Sequence, residues 1–136
     1  MLGVLVLVAG TVLVANAWSV LQARRSLDGA AREYLRAYTQ ADDPAAAESA
    51  AARALSDVLD GEGAAGISVE PPASAEFGPC AVATVTLSAE VPAARLPFVG
   101  SVASTTVEVT HTELVDAHRE IAVGPDYDPA RTPCAG

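Results

Sequence analysis

MLGVLVLVAGTVLVANAWSVL, residues 1–21, governs how the rest of the chain is read. Leu2, Val4, Leu5, Val6, Leu7, Val8, Val12, Leu13 and Val14 are interrupted only by small residues and Thr11, and the first charged side chain is Arg24. A bilayer core about 30 Å thick takes roughly 20 apolar residues as a helix. The segment is therefore just long enough to span, and Trp18 stands where an interfacial aromatic belongs. The competing reading is a helix inside a soluble core. It would require burial on all sides of a segment at the chain terminus, which a helix there rarely finds. Residues 1–21 are accordingly read as a membrane anchor.

Helical spacing does not stop at Leu21. Val20, Leu27, Ala31, Tyr34 (with Leu35) and Tyr38 recur at sevens, fours and threes, one face of a helix, while Arg24, Arg25, Arg32 and Glu33 fall largely off that stripe. No proline precedes Pro44, and the single Gly29 costs only about 1 kcal/mol. One continuous helix is expected over about residues 2–40. Its length is on the order of 60 Å, so its second half, residues 22–41, must stand outside the membrane.

Asp43 is suited to cap a second helix and Pro44 to begin it. That helix is expected to run to about Leu59, with Ala47, Ala51, Leu55, Val58 and Leu59 as its apolar stripe. Gly61 is placed to end it, within a loop over residues 60–66. From there the period changes to two. Ile67 and Val69 make a short strand stopped by Pro71 and Pro72. Between Cys80 and Val91 the odd positions Ala81, Ala83, Val85, Leu87, Ala89 and Val91 are apolar, and most even ones are polar. A third strand over about Ser101–Leu114 sets Ala103, Thr105, Val107 and Val109 on one face. The simplest topology pairs the last two antiparallel through a connection at Pro92–Gly100, with the apolar sheet face laid on both helices. The expected fold class is α+β: a long N-terminal membrane-spanning helix, a short helix and a small three-stranded antiparallel sheet. The head occupies residues 42–120 and an irregular tail residues 121–136.

Charge is unevenly placed. Residues 1–41 carry four arginines against Asp28 and Glu33, a net +2, whereas residues 42–136 carry four arginines against fifteen acids, a net −11. An acidic body of this kind repels phosphate backbones, so no nucleic-acid partner is expected. Every basic residue is Arg, which with the high Ala content fits a GC-rich genome. Cys80 and Cys134 lie far apart and in no metal-ligand spacing. In a body outside the cytoplasm they would form one structural disulfide. Folding the hairpin about residue 96 sets Cys80 opposite about residue 112, where the tail departs, so the bridge would staple an otherwise unstructured end to the sheet.

No catalytic signature is present. There is no Gly-rich phosphate loop, GxSxG or HExxH. His111 and Glu113 share a strand face, with Asp116, His118 and Glu120 nearby. They are read as solvated polar residues in preference to a metal or acid–base site. Asp126 and Asp128 resemble a fragment of a calcium loop that lacks its glycine and distal glutamate. No cofactor, metal or small-molecule substrate is expected, and the chain is not read as an enzyme. Leu96, Pro97, Phe98 and Val99 form an apolar cluster suited to contact a partner or the lipid surface.

The order of these parts resembles a known family. A membrane helix runs into Leu27-Asp28-Gly29-Ala30-Ala31-Arg32-Glu33-Tyr34-Leu35-Arg36-Ala37-Tyr38. There follow an Ala-rich helix, an alternating strand ending Val91-Pro92, the Leu96-Pro97-Phe98-Val99-Gly100 segment, and a Thr/Val strand ending Thr110-His111-Thr112-Glu113. Over roughly residues 2–120 this is similar to the TadE-like proteins of actinobacteria, minor pseudopilins encoded with tight-adherence (Flp-type) pilus assembly systems. The resemblance implies a type IV pilin-like stem anchored in the cytoplasmic membrane with its head outward. It also implies other pilin-like subunits and pilus assembly machinery as partners, and a role in adhesion or secretion. The family pattern also has a basic leader, a small residue at the prepilin peptidase site and a Glu five residues into the mature helix. None of these stands in this sequence, where no acid precedes Asp28. Either the recorded start lies inside the true membrane helix, or this chain is unprocessed.

Two other readings compete. Ala15-Asn16-Ala17 fits the small-x-small rule for signal-peptide cleavage after Ala17, without the basic n-region. Arg24 and Arg25 just after the span favour a single-pass protein with a cytoplasmic body.

Overall fold

A single helix, α1 (Leu2–Thr39), carries everything else in the molecule. The computed structural model describes residues 2–59, 66–96 and 100–135. The helix is unbroken over 38 residues, about 57 Å at 1.5 Å each, as the spacing predicts. Its buried residues are Leu27, Ala30, Ala31, Tyr34, Leu35, Tyr38 and Thr39, all in its second half. Arg36 in the last turn complements the negative end of the helix dipole.

The chain then turns through Gln40–Asp43 into α2 (Pro44–Leu59). Asp43 is the cap that its position suggests. Its Oδ1 accepts from the Ala46 N–H at 2.8 Å, and its carbonyl accepts from Ala47 N at 2.9 Å. Helix α2 packs on α1 through alanines. Ala30, Ala31, Ala47 and Ala51 are completely buried, which lets the two backbones approach closely. The stripe differs from expectation at one residue: Val58 is exposed while Leu59 is buried. The contact follows the i, i+4 ridge of Ala47, Ala51, Leu55 and Leu59, which winds about 40° per step, so the last turn presents Leu59 instead. Gly61 and most of the loop assigned at 60–66 lie outside the described residues.

The sheet contains β1 (Ile67–Glu70), β2 (Val82–Leu96) and β3 (Gly100–Leu114), in the order β1-β2-β3 and antiparallel throughout. Its inner face is the alternating set read from the sequence: Ala83, Val85, Leu87, Val107 and Val109 are buried. On the outer face Thr84 bonds Thr112 at 3.1 Å and Thr86 bonds Thr110 at 3.0 Å, cross-strand pairs that tie the hairpin where water covers it.

Three expectations need correction. The sheet lies chiefly on α1; among the described residues α2 packs on α1 and the short 3-10 turn Ser74–Glu76, and nears the sheet only at its last residue, where Leu59 lines a cleft with Ile67 and Ala89. The hairpin pivots at residue 98, with Val82 opposite Leu114, and not at 96. That shift changes each partner by an even number of residues, so every side chain keeps its face. Finally, the connection expected at Pro92–Gly100 is largely strand where it is described: β2 runs through Pro92, opposite Ser104, to Leu96, opposite Gly100. Proline is tolerated there because, among the described residues, β1 pairs with β2 only as far as Ala89, which leaves the other edge of β2 without a described partner at Pro92. Irregularities between Pro92, Ala94 and Arg95 bend the strand at the same place.

Candidate functional site

The feature with the clearest functional content is the boundary within α1 between its bare half and the half inside the head. The most apolar 18-residue window of the helix has no residue buried by the rest of the chain. Leu2 is 80% exposed, Leu13 71% and Trp18 59%, and Val4, Leu5, Val6, Leu7, Val8 and Val14 are similarly bare, while Val12 is partly covered. A helix apolar on all sides and touching nothing is unstable in water. Its few polar side chains are turned back on the helix. Thr11 Oγ1 donates to the Leu7 and Val8 carbonyls, Asn16 Nδ2 to Val12 O at 2.8 Å, and Ser19 Oγ to Asn16 O at 2.8 Å. Polar groups satisfied within the helix are what a hydrocarbon surrounding requires. The segment is thus long and apolar enough to cross a membrane, a description that a signal sequence also meets.

Where the bare half ends, the head begins. Val20 is partly buried against the core, and Leu27 is 3% exposed. The upper end of the core is closed by Tyr38 and Phe77, whose rings meet edge to face with centroids 5.4 Å apart. Both are fully buried. Tyr38 Oη has no hydrogen-bond partner among the described residues. Burial, with smaller contributions from Tyr34 and Glu48, pushes the Tyr38 phenol up to about 12. Burial, then Glu48, also raises Tyr34.

Two polar links fasten the head to the stem. His111 on β3 donates from Nε2 to Asp28 Oδ1 at 2.6 Å, and Arg32 reaches the other oxygen of Asp28 at 3.0 Å. The His111 hydrogen bond is the largest cause holding the Asp28 carboxyl below its ordinary value, and the charges of Arg32, His111 and Arg24 act in the same direction. The second link is at the opposite end of α1. Arg119 donates to the Gln40 carbonyl and pairs with Asp42, while Ala122 N donates to Asp42 O at 2.9 Å.

The tail is far more organised than the sequence suggests. Cys80 and Cys134 are bridged, with Cα atoms 6.0 Å apart. The bridge is only one of several fastenings. Gly124 N donates to Phe77 O at 2.7 Å and Asp126 N to Ala75 O at 2.8 Å. Tyr127 lies over Gly78 and donates its hydroxyl to Pro79 O at 2.7 Å. A Cβ at Gly78 would fall inside the Tyr127 ring, and one at Gly124 would fall on the Ala75 carbonyl. Both positions demand glycine through close approach. Cys80 has a φ of 61° as the chain turns into β2, and its N–H donates to Val115 O at 3.0 Å.

The other sequence candidates separate. His111 is occupied by Asp28, whereas Glu113, His118 and Glu120 are exposed, and Asp116 Oδ1 accepts from the His118 N–H. Asp128 accepts from Ala130 N at the start of a 3-10 turn, Pro129–Arg131. Among the described residues no three His, Cys, Asp or Glu side chains gather as a metal site. Of the apolar cluster, Leu96 ends β2, and Pro97, Phe98 and Val99 lie outside the described residues. The sequence reading missed the Asp28–His111 link and the seat of Tyr127. Neither follows a period, and the sole local signal was the run of turn residues Gly124–Pro129.

Comparison of the chain with models of known protein families, with curated proteins and with solved structures gives no match in any of the three.

Proposed function

We propose that the chain is a non-enzymatic, membrane-anchored, pilin-like subunit of the TadE-like kind, with its head on the extracytoplasmic side, acting in assembly of a surface fibre. One observation carries the reading: a single unbroken helix has an apolar half that no described residue buries, while its other half is the central core element of a small α+β head. The bare half, about 20 residues and 30 Å, matches a bilayer. The Cys80–Cys134 bridge favours an oxidising compartment for the head. The sequence features resembling TadE-like proteins give the fibre its place in the proposal. Partners would then be other pilin-like subunits, packed through their stems, and the machinery that extracts them from the membrane.

The test has two arms. Protease added to intact cells should remove the head of the full-length protein and leave a membrane-embedded stem; a head resistant until lysis would overturn the topology. Deleting the gene should reduce surface fibres seen by electron microscopy, and unchanged number and length would remove the fibre role.

One observation favours a second reading. The first helix residue packed on the core is Val20, only three residues beyond Ala17. Cleavage after Ala17 would therefore leave the head whole and release it. Intact-mass measurement of the native protein decides, because loss of residues 1–17 ends the anchor reading.

A further inference from the structure

The hairpin is longer than the head needs. Its buried inner-face positions end at Leu87 on β2 and Val107 on β3. Pairing nevertheless continues to Leu96 opposite Gly100. On that extension Ala103 and Thr105, which belong to the inner face, are exposed. Val91 still packs on the core, but at Ala103 and Thr105 the distal hairpin carries inner-face positions that no described element of the chain covers.

Its direction is fixed by three contacts. Arg119, beyond the proximal end of β3, meets Gln40 and Asp42 just past the end of α1. His111, further along β3, meets Asp28. Still further along the hairpin, Ala89, Glu90 and Val91 line a cleft with Ser19, Gln22 and Ala23. The hairpin therefore points back along α1 toward its apolar half. At Val91 it is already level with the last residues before Arg24. Five more paired residues at about 3.3 Å each carry it about 16 Å further, a distance equal to about eleven residues of helix. Inclined at 45° to the stem it would still advance about 11 Å. A membrane that holds the apolar half of α1 lies in its way.

Its composition suits that encounter. From Val91 to Thr105 the one charged residue is Arg95, a cation, in a body that is otherwise strongly acidic. The acidic surface is repelled by anionic headgroups, whereas a stretch with no acid and one arginine is attracted by them. The residues are apolar, small or hydroxylic, as at a lipid interface.

We propose that the distal hairpin, Val91–Leu96 with Gly100–Thr105, is a second membrane contact that seats on the lipid surface beside the stem and fixes the height and tilt of the head. This rests on the anchor reading, and the experiment keeps the two separable. The full-length protein is reconstituted in vesicles of phosphatidylcholine and phosphatidylglycerol carrying a spin label near the headgroup. In the native protein Trp18 is the single indole, and its quenching reports the anchor. In a Trp18→Phe background, Ser104→Trp and Thr105→Trp place an indole on each face of the distal hairpin, at exposed positions. An intact Cys80–Cys134 bridge and an unchanged circular dichroism spectrum certify the fold of each variant. The expected result is loss of fluorescence at one or both introduced indoles comparable to that of Trp18, weakened when Arg95→Glu is added. Quenching of Trp18 with neither introduced indole affected overturns the hairpin proposal and leaves the anchor standing. No quenching of Trp18 overturns the anchor, and the proposal with it. A blue shift at the introduced indoles that grows with protein density, without lipid quenching, assigns the surface to a second copy and also overturns it.

Discussion

Replacing Tyr38 with phenylalanine should stabilise the head, a result opposite to that usual for a buried tyrosine. The ring is 2% exposed and packs edge to face on Phe77, and Tyr38→Phe keeps that contact. What is removed is a buried hydroxyl with no hydrogen-bond partner among the described residues. Leaving such a group unpaired costs about 1–3 kcal/mol. The oxygen also fills space, and its loss returns part of that gain, so the net expectation is about 1 kcal/mol in favour of the variant. For a head of this size 1 kcal/mol corresponds to a rise in Tm of about 4–8 °C. The same phenol gives a second signature. Its folded-state value, pushed up to about 12, lies above that of an unfolded tyrosine, near 10. The neutral phenol therefore contributes stability that is complete below pH of about 10 and is lost as pH rises through about 12, an amount on the order of 2–3 kcal/mol. In Tyr38→Phe this part of the alkaline loss should disappear, leaving the smaller one from Tyr34. The assay is urea unfolding of the full chain in detergent micelles, followed by near-ultraviolet circular dichroism at neutral and alkaline pH. A variant destabilised by about 1 kcal/mol or more would mean that the hydroxyl is paired in solution, and the reasoning would be wrong.

The remaining tests address the tail and the stem–head link. Gly124→Ala must push its new methyl against the Ala75 carbonyl, so it should cost about 1–3 kcal/mol and raise hydrogen exchange at Gly124 and Asp126 first; unchanged exchange would show the seat to be loose. Reducing the Cys80–Cys134 bridge opens a closure of 54 residues, for which chain entropy gives about 4 kcal/mol as an upper value. The urea midpoint should fall with reductant, by less than that figure, because the Gly124 and Tyr127 contacts still hold the tail. Asp28→Asn should flatten the acid limb of stability. The carboxyl is held below its ordinary value, so its contribution is present above the usual carboxylate range and is lost as pH falls through the lower one. Equal loss in variant and parent between pH of about 5 and 2 would place the acid sensitivity elsewhere.

What was legible in the sequence is what repeats. The stem and α2 have uninterrupted helical spacing, and their start and stop residues, Asp43 and Pro44 above all, act locally and were readable as such. The strands of the sheet have a period of two, and that period survives an error of register: placing the pivot at 96 in place of 98 left every inner residue inside. Pro92 misled because a proline in an alternating run is ordinarily a strand end; here no described residue pairs with it on its other side, and nothing in the local residues announces that. The position of α2 was illegible for a different reason. Alanine stripes do not specify what they pack against, and Ala47 and Ala51 chose the alanines of α1 over the sheet. The tail's docking depends on contacts 47 to 51 residues away in sequence, such as Tyr127 with Pro79 and Gly124 with Phe77, which no window of sequence contains.

The same helix thus answers to two solvents, and the division falls within about two turns. Below Ser19 the apolar side chains are bare, and from Leu27 onward the inner face of the helix packs into the core of the head. Between them stand Arg24 and Arg25, both exposed, whose charges resist movement into the bilayer. Under the anchor reading they would set how deep the stem sits and, through an unbroken helix, how high the head stands. A rigid stem transmits that height directly to α2, to the sheet and to the tail latched behind Phe77. The head needs none of residues 2–18 for its core, and the stem needs none of the head for its helix. What joins them is the shared backbone of α1, braced by Asp28 and His111 at one level and by Arg119 and Asp42 at another. Under the anchor reading proposed above, that arrangement would hold a small head at a fixed distance from the membrane, as a subunit whose stem packs with others in register requires.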